Sequence, residues 1–145
     1  MIPAKKLRWR YFFVICLIPG ILVACGSSLT SGVSLTGVVW QLTDVKFDGQ
    51  NTSNTISQPD KFTIEFQTNN TANVKADCNM ANLSYTTNGN QLTITAGPMT
   101  LVYCGPDSLS DQYVHALQQA NYYTLQGDTL TINSGSNGTM NFKKS

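Results

Sequence analysis

The chain has 145 residues, the length of one domain. Four of its nine basic residues, Lys5, Lys6, Arg8 and Arg10, lie within the first ten positions, and they include both arginines. The rest of the chain carries five lysines against eight carboxylates, a net charge of −3. An acidic region without arginine lacks the basic surface that nucleic-acid binding requires, so the sequence excludes that class of function.

The first 24 residues have the pattern of an export signal. The basic head is followed by an apolar run over 11–18, and Pro19 and Gly20 interrupt the run before Cys25. The run has eight residues, far fewer than the roughly 20 that a helix needs to span a bilayer. We therefore predict a signal peptide over 1–24 that is removed during export.

The cleavage point carries a further pattern in Leu22, Val23, Ala24 and Cys25. These residues resemble the lipobox of bacterial lipoproteins, which implies acylation of Cys25 and attachment to a membrane through its acyl chains. Gly26 occupies the position where an aspartate would favour the inner membrane. The resemblance thus implies the cell envelope, at the outer membrane facing the periplasm where the organism has two membranes. The alternative is an ordinary secretory signal with a cysteine at the cleavage point by chance.

Small and polar residues dominate the segment after Cys25. Nine of the twelve residues over 26–37 are Gly, Ser or Thr. This composition is typical of a flexible tether, which at this length spans about 20 Å on average. We predict a lipidated cysteine with its tether over 25–37 and one folded domain over 38–145.

Four cysteines reduce to one pair. Cys16 leaves with the signal peptide and Cys25 is the predicted anchor, so Cys78 and Cys104 remain. In an oxidising compartment we expect these two to form a disulfide bond. Two free thiols, a metal site or a catalytic thiol are the alternatives, although a zinc site needs about four Cys or His ligands and the chain has one histidine.

The region from residue 38 onward reads as short strands separated by turns rich in Asn, Gly and Thr. We predict strands over 38–45, 62–66, 73–77 and 139–143, a loop over 47–60, hairpins over 85–95 and 123–133, and one helix over 108–120. The hairpins share six of eleven residues, including Gly89 and Gly127 at their turns, through an internal duplication or through the same turn chemistry used twice. The predicted fold is mainly β, a small antiparallel β-barrel or strongly curved sheet with one packed α-helix.

The order of several short elements resembles the META/HslJ-like domain family. The matching residues are Trp40, Leu42, Phe62, Ile64, Phe66, Cys78, Asn79, Leu92, Ile94, Cys104, Leu117, Tyr122, Tyr123, Leu130, Ile132 and Phe142. The resemblance implies a compact barrel-like domain with a helix, often carried by stress-associated or envelope lipoproteins, with no established enzymatic activity or general ligand.

Candidate catalytic residues are few. His115 falls on the polar face of the predicted helix, one turn after Asp111, where a solvated pair is expected. Asp77 stands at a strand end, where an aspartate commonly caps a turn. Nucleophilic catalysis needs a serine or cysteine beside a base, and no such pattern occurs. We therefore expect a protein that is not an enzyme and that binds no metal or cofactor.

Tyrosines crowd around the predicted helix, at Tyr103, Tyr113, Tyr122 and Tyr123. Packing of the core and of the barrel end accounts for them, and a binding surface that includes Tyr122 and Tyr123 is the alternative. We expect a monomeric domain that acts by contact with an envelope protein. A carrier that holds a small ligand in the barrel interior is the second interpretation, and an enzyme is the third.

Overall fold

The computed structural model describes residues 34–145, so the predicted signal peptide, Cys25 and residues 26–33 of the predicted tether lie outside the described residues. The elements within this region are, in chain order, β1 (Val39–Lys46), β2 (Asn54–Thr55), a 3-10 helix (Pro59–Lys61), β3 (Phe62–Phe66), β4 (Thr71–Ala76), β5 (Asn79–Asn88), β6 (Gln91–Thr95), α1 (Ser110–Gln118), β7 (Ala120–Gln126), β8 (Thr129–Ser134) and β9 (Gly138–Lys144).

The strands form a closed antiparallel barrel. From β3 to β9 each strand pairs with the next one along the chain, and β1 pairs with β3 on one side and β9 on the other. Eight strands, β1 and β3 to β9, thereby close the barrel, while the two-residue β2 extends the pairing of β1. The prediction of a mainly β fold with one helix is confirmed.

Alternation along the strands fills the interior. In β3, for example, Phe62, Ile64 and Phe66 are buried and the residues between them face outward, as predicted from the sequence. The largest fully buried side chains are Trp40, Leu42, Ile64, Phe66, Leu83, Leu92, Tyr113, Leu117, Leu130, Ile132, Met140 and Phe142.

Helix α1 covers one end of the barrel. It contacts β4, β6 and β8, which run in the same direction and therefore finish at the same end. The ring of Tyr113 stands edge-on to Phe62, with the centroids 5.7 Å apart, and lies 6.4 Å from the ring of Phe142. Among residues 34–145, no helix combines the length and the apolar character needed to cross a membrane.

The folded region begins before residue 38, inside the segment that the sequence predicts to be tether. Leu35 is buried, and the indole N–H of Trp40 donates to its carbonyl oxygen at 3.0 Å. The backbone N–H of Gly37 donates to the carbonyl of Phe66 at 2.9 Å. The composition of this segment predicts a tether, but one apolar side chain among small polar residues, Leu35, is enough to join the segment to the core.

The helix is shorter than the predicted range of 108–120. Leu109 is its N-cap residue, and the hydroxyl of Ser108 accepts the backbone N–H of Ser110 at 3.2 Å. Ala120 already belongs to β7. Gly89 and Gly127 have φ of 58° and 55°, so the predicted role of glycine at the two hairpin turns is confirmed.

Two other differences concern loops and strand length. The predicted loop over 47–60 contains β2 and the start of the 3-10 helix, and its Phe47 and Ile56 are buried. Strand β5 begins at Asn79, six residues before the predicted hairpin, because it pairs with the whole of β4.

Candidate functional site

A disulfide bond joins Cys78 to Cys104, the pair that the sequence predicts. Their Cα atoms are 5.6 Å apart, and the bond closes a separation of 26 residues. Cys78 lies in the turn between β4 and β5, and Cys104 lies in the segment that leads to α1. The bond therefore ties this segment to the end of the barrel that the helix covers.

Asn79 holds the same segment from inside. This side chain is buried, and its oxygen accepts the backbone N–H of Val102 at 2.8 Å and the hydroxyl of Thr100 at 3.0 Å. Its amide nitrogen lies 2.9 Å from the carbonyl oxygen of Val102 and 3.2 Å from the hydroxyl of Ser110. One buried amide thus connects β5, the segment before the helix, and the helix itself.

The segment held in this way exposes three consecutive apolar side chains, which we call the apolar ridge: Leu101, Val102 and Tyr103. Their exposed fractions are 88%, 58% and 81%. The sequence predicts a packing role for Tyr103 and assigns no role to Leu101 or Val102. The signal in the sequence is the apolar run over 101–103, which stands outside any predicted strand and directly before Cys104.

Beside the ridge, a groove of about 710 Å³ crosses the outer surface of the barrel. We call it the outer groove; it is lined by Val39, Thr63, Glu65, Asn73, Val74, Lys75, Met80, Ala81, Asn82, Pro98, Met99 and Thr100. Residues 98–100 form its wall by hydrogen bonding to β5, with the Asn82 N–H donating to Pro98 at 3.0 Å and the Thr100 N–H donating to Met80 at 3.0 Å. A Cβ at Gly97 would collide with the carbonyl oxygen of Asn82, so only glycine allows this close approach.

Two opposite charges lie on the floor of the outer groove. Glu65 stands directly across from Asn73 in the register of β3 and β4, and Lys75 follows Asn73 by two positions. Glu65 and Lys75 are therefore diagonal neighbours, about 7 Å apart in a regular sheet. Among the described residues, neither has an oppositely charged side chain within 4.0 Å. Lys61 and Asp77 form an ion pair at 3.4 Å, but neither of them lines the outer groove.

The tyrosines named by the sequence divide into buried and exposed positions. Tyr113 is buried in the core, as predicted, whereas Tyr103 is exposed and does not pack at the barrel end. Tyr122 is 45% exposed on the outside of β7, and Tyr123 is half-buried on the opposite face with its hydroxyl 3.3 Å from the carbonyl of Gly89. Tyr122 and Tyr123 thus do not share one surface.

Two buried tyrosines differ in their hydrogen bonding. Tyr85, the first residue of the predicted hairpin over 85–95, donates its hydroxyl to the carbonyl of Gln67 at 2.8 Å. The hydroxyl of Tyr113 has no hydrogen-bond partner among the described residues. Burial raises the pKa of Tyr85 and raises the pKa of Tyr113 well above its ordinary value.

The other candidates have ordinary surroundings. His115 is exposed on α1, as predicted. Asp77 has a φ of 58° in the turn before Cys78 and pairs with Lys61, in agreement with the predicted turn role. Within residues 34–145, no three His, Cys, Asp or Glu side chains are grouped so that they could hold a metal ion.

Asp48 connects the loop after β1 with the turn between β8 and β9. Its carboxylate accepts the backbone N–H of Asn137 at 3.1 Å, the hydroxyl of Ser136 at 3.0 Å and the backbone N–H of Gly49 at 3.1 Å. These donors, the Asn137 N–H first, lower the pKa of Asp48 below its ordinary value. No sequence signal links the two loops, because 88 residues separate Asp48 from Ser136.

Comparison with known proteins supports the fold. The sequence model of the META domain matches residues 33–145. The NMR structure of a protein from Burkholderia xenovorans is similar, with 18% identity, a TM-score of 0.60 and coverage of 77% of this chain and 83% of the other. The crystal structure of a DUF4847 family protein from Bacteroides vulgatus ATCC 8482 has 12% identity, a TM-score of 0.58 and coverage of 75% and 93%. No curated protein matches the sequence.

Proposed function

This chain belongs to the META domain family, and we propose that it is a non-enzymatic, membrane-anchored lipoprotein of the cell envelope that acts by binding another protein. We further propose that the apolar ridge carries this contact. The anchor in the proposal is the predicted acylation of Cys25, which follows from the lipobox resemblance.

The distribution of exposed apolar side chains is the observation that supports a protein contact. Among residues 34–145, the exposed large hydrophobic side chains are Val39, Met80, Leu101, Val102, Tyr103 and Tyr122. All of them except Tyr122 belong to the ridge or line the outer groove. Exposed apolar residues scattered singly are normal, but a continuous group of them marks an interaction site.

The rigid attachment of the ridge to the barrel also supports a protein contact. The disulfide bond and the Asn79 amide hold the backbone on both sides of Leu101 and Val102. A pre-ordered apolar loop loses little conformational entropy when it binds, and aromatic side chains such as Tyr103 are frequent anchors in protein interfaces.

The place where the chain enters the barrel is compatible with an anchored protein that meets a partner. Thr36 and Gly37 lie beside Phe66, at the end of β3 away from the disulfide bond. A tether that joins the domain at Ser34 would therefore enter at one end of β3, while the ridge lies at the other end.

A carrier that uses the barrel interior receives less support. The strands and the helix that covers the barrel end bury twelve large side chains fully, among them Trp40, Tyr113 and Phe142. An eight-stranded barrel has an interior just wide enough to be filled by side chains in this way.

Site-specific photo-crosslinking in intact cells tests the proposal. A photoreactive amino acid is placed at Leu101 or Tyr103, and at Thr124 or Ser136 as exposed control positions outside the ridge. We expect one envelope protein to be captured repeatedly from the ridge positions and not from the controls. Equal capture from both pairs would contradict the proposal, as would unchanged capture after Tyr103→Ser in a probe-bearing Leu101 variant that retains its thermal stability.

A further inference from the structure

The floor of the outer groove has an ordered pattern of side chains across four neighbouring strands. In the barrel register, Val39 of β1 lies opposite Glu65 of β3, Glu65 is diagonal to Lys75 of β4, and Lys75 lies opposite Met80 of β5. In this order the four side chains on the floor are apolar, acidic, basic and apolar.

From this pattern we infer that the outer groove binds an extended segment of the partner protein with the complementary order: apolar, basic, acidic, apolar at alternate positions. The inference rests on the proposed function, because it specifies the chemistry of the partner. The segment would place its basic side chain on Glu65, its acidic side chain on Lys75 and its apolar ends on Val39 and Met80.

The dimensions of the groove fit an extended segment. With about 4.8 Å between neighbouring strands and about 7 Å for the diagonal step, Val39 and Met80 are roughly 17 Å apart along the floor. An extended segment of seven residues presents four side chains on one side over about 20 Å. The two lengths are similar, so a segment that follows the curvature of the sheet would reach all four side chains.

The shape and composition of the groove favour a segment of a larger protein over a small molecule. The groove is open along the sheet, whereas sites for small ligands bury most of the ligand surface. It also continues into the apolar ridge, since Thr100 lines the groove and Leu101 follows it. Met80 and Met99 both line the groove, and the flexible thioether side chain of methionine adapts to apolar partners.

Charge also argues against two other occupants. A second copy of this domain would bring one domain of net charge −3 against another. An anionic lipid surface would be repelled for the same reason. A segment with one charge of each sign is complementary to Glu65 and Lys75 and meets neither penalty.

Synthetic peptides test the inference on the membrane-extracted protein in nanodiscs of zwitterionic lipid. The three probes are Leu-Ser-Lys-Ser-Glu-Ser-Leu and its counterparts with two lysines or two glutamates. The readout is the NMR signal of labelled methionine methyl groups, at low salt. Met80 and Met99 report on the groove, and the buried Met140 is an internal reference.

We expect the protein to bind the Lys/Glu peptide roughly fivefold more tightly than either counterpart, the upper range for an exposed ion pair. In Glu65→Lys the preference should change to the peptide with two glutamates, and in Lys75→Glu to the peptide with two lysines. Because each variant matches a peptide of one charge type, the result does not depend on the direction in which the peptide binds. Asp128→Lys and Lys46→Glu make the same changes in net charge outside the groove and should keep the original preference.

The outcomes separate this inference from the proposed function. Equal binding of all three peptides, a preference that the groove variants leave unchanged, or no shift at Met80 and Met99 would overturn the inference. If crosslinking from the ridge still captures one partner in that case, the proposed function stands without the groove. If crosslinking from Leu101 and Tyr103 captures no partner, the proposed function is overturned even if the peptide preference holds.

Discussion

The side-chain oxygen of Asn79 accepts the backbone N–H of Val102 at 2.8 Å, so a buried amide at the start of β5 fixes the middle of the exposed apolar ridge. The bond crosses 23 residues of sequence. It gives the ridge a defined conformation that its own apolar side chains do not provide, because they make little contact with the barrel.

Replacing Asn79 by alanine should lower the free energy of unfolding by about 2 kcal/mol, since it leaves polar groups of the ridge backbone without their partner. Urea denaturation measures the loss. Asn82→Ala on the same strand is the matched control, because Asn82 makes an exposed side-chain bond to Asn73 and its loss should cost less than about 0.5 kcal/mol. Equal effects of the two variants would show that Asn79 has no special role.

Removing the disulfide bond should also destabilise the domain. In the chain-entropy model, a bond that closes a loop of this length contributes about 3.5 kcal/mol, and we expect this loss in the double variant Cys78→Ser, Cys104→Ser. Urea denaturation of the reduced wild-type protein should give a similar value. Free thiols detected by quantitative labelling of the native protein would refute the bond itself.

The two buried tyrosines should respond to loss of the hydroxyl in opposite directions. Tyr113→Phe removes a buried hydroxyl without a partner among the described residues, so the variant should be about 1 kcal/mol more stable. Tyr85→Phe removes the bond to the carbonyl of Gln67 and should be about 1 kcal/mol less stable. Thermal unfolding at neutral pH compares them. Destabilisation by Tyr113→Phe would mean that its hydroxyl has a partner in solution.

Asp48 should make stability depend on pH in the acid range. Its donors lower the pKa of the folded carboxyl below the ordinary value of 3.8, so the ionised form contributes stability above that pH. The contribution is lost as the pH falls through the lowered pKa. Asp48→Asn should therefore reduce Tm at pH 7, and the difference from wild type should shrink below pH 3.8. Ser136→Ala, which removes one donor, should have a smaller effect of the same sign. A difference that stays constant from pH 7 to pH 2 would contradict this account.

Acylation of Cys25 is the remaining prediction from sequence. The mass of the membrane-extracted protein should exceed that of residues 25–145 by a diacylglyceryl group and an additional acyl chain. Cys25→Ser should abolish this increase and release the protein from the membrane fraction. An unmodified amino terminus at another residue would refute the lipobox interpretation.

The sequence by itself determined the strand pattern and the disulfide partners. Alternation in Phe62, Ile64 and Phe66 is a local property with a period of two residues, so it predicts which face is buried without knowledge of the neighbouring strands. Gly89 and Gly127 predict turns for the same local reason. The pairing of Cys78 with Cys104 follows from counting, because the predicted export and the predicted acylation leave two cysteines.

Only the tertiary structure decided where the candidate surface lies. The outer groove needs the register of four strands, which brings Val39 beside Glu65 and Lys75 beside Met80, and no local pattern specifies that register. The ridge is exposed because Asn79 holds its backbone. From the sequence alone, an apolar run is compatible with burial as well as with exposure. Packing and pairing between distant segments set both features, and their physical cause is the closure of the barrel, which brings residues far apart in the chain onto one surface.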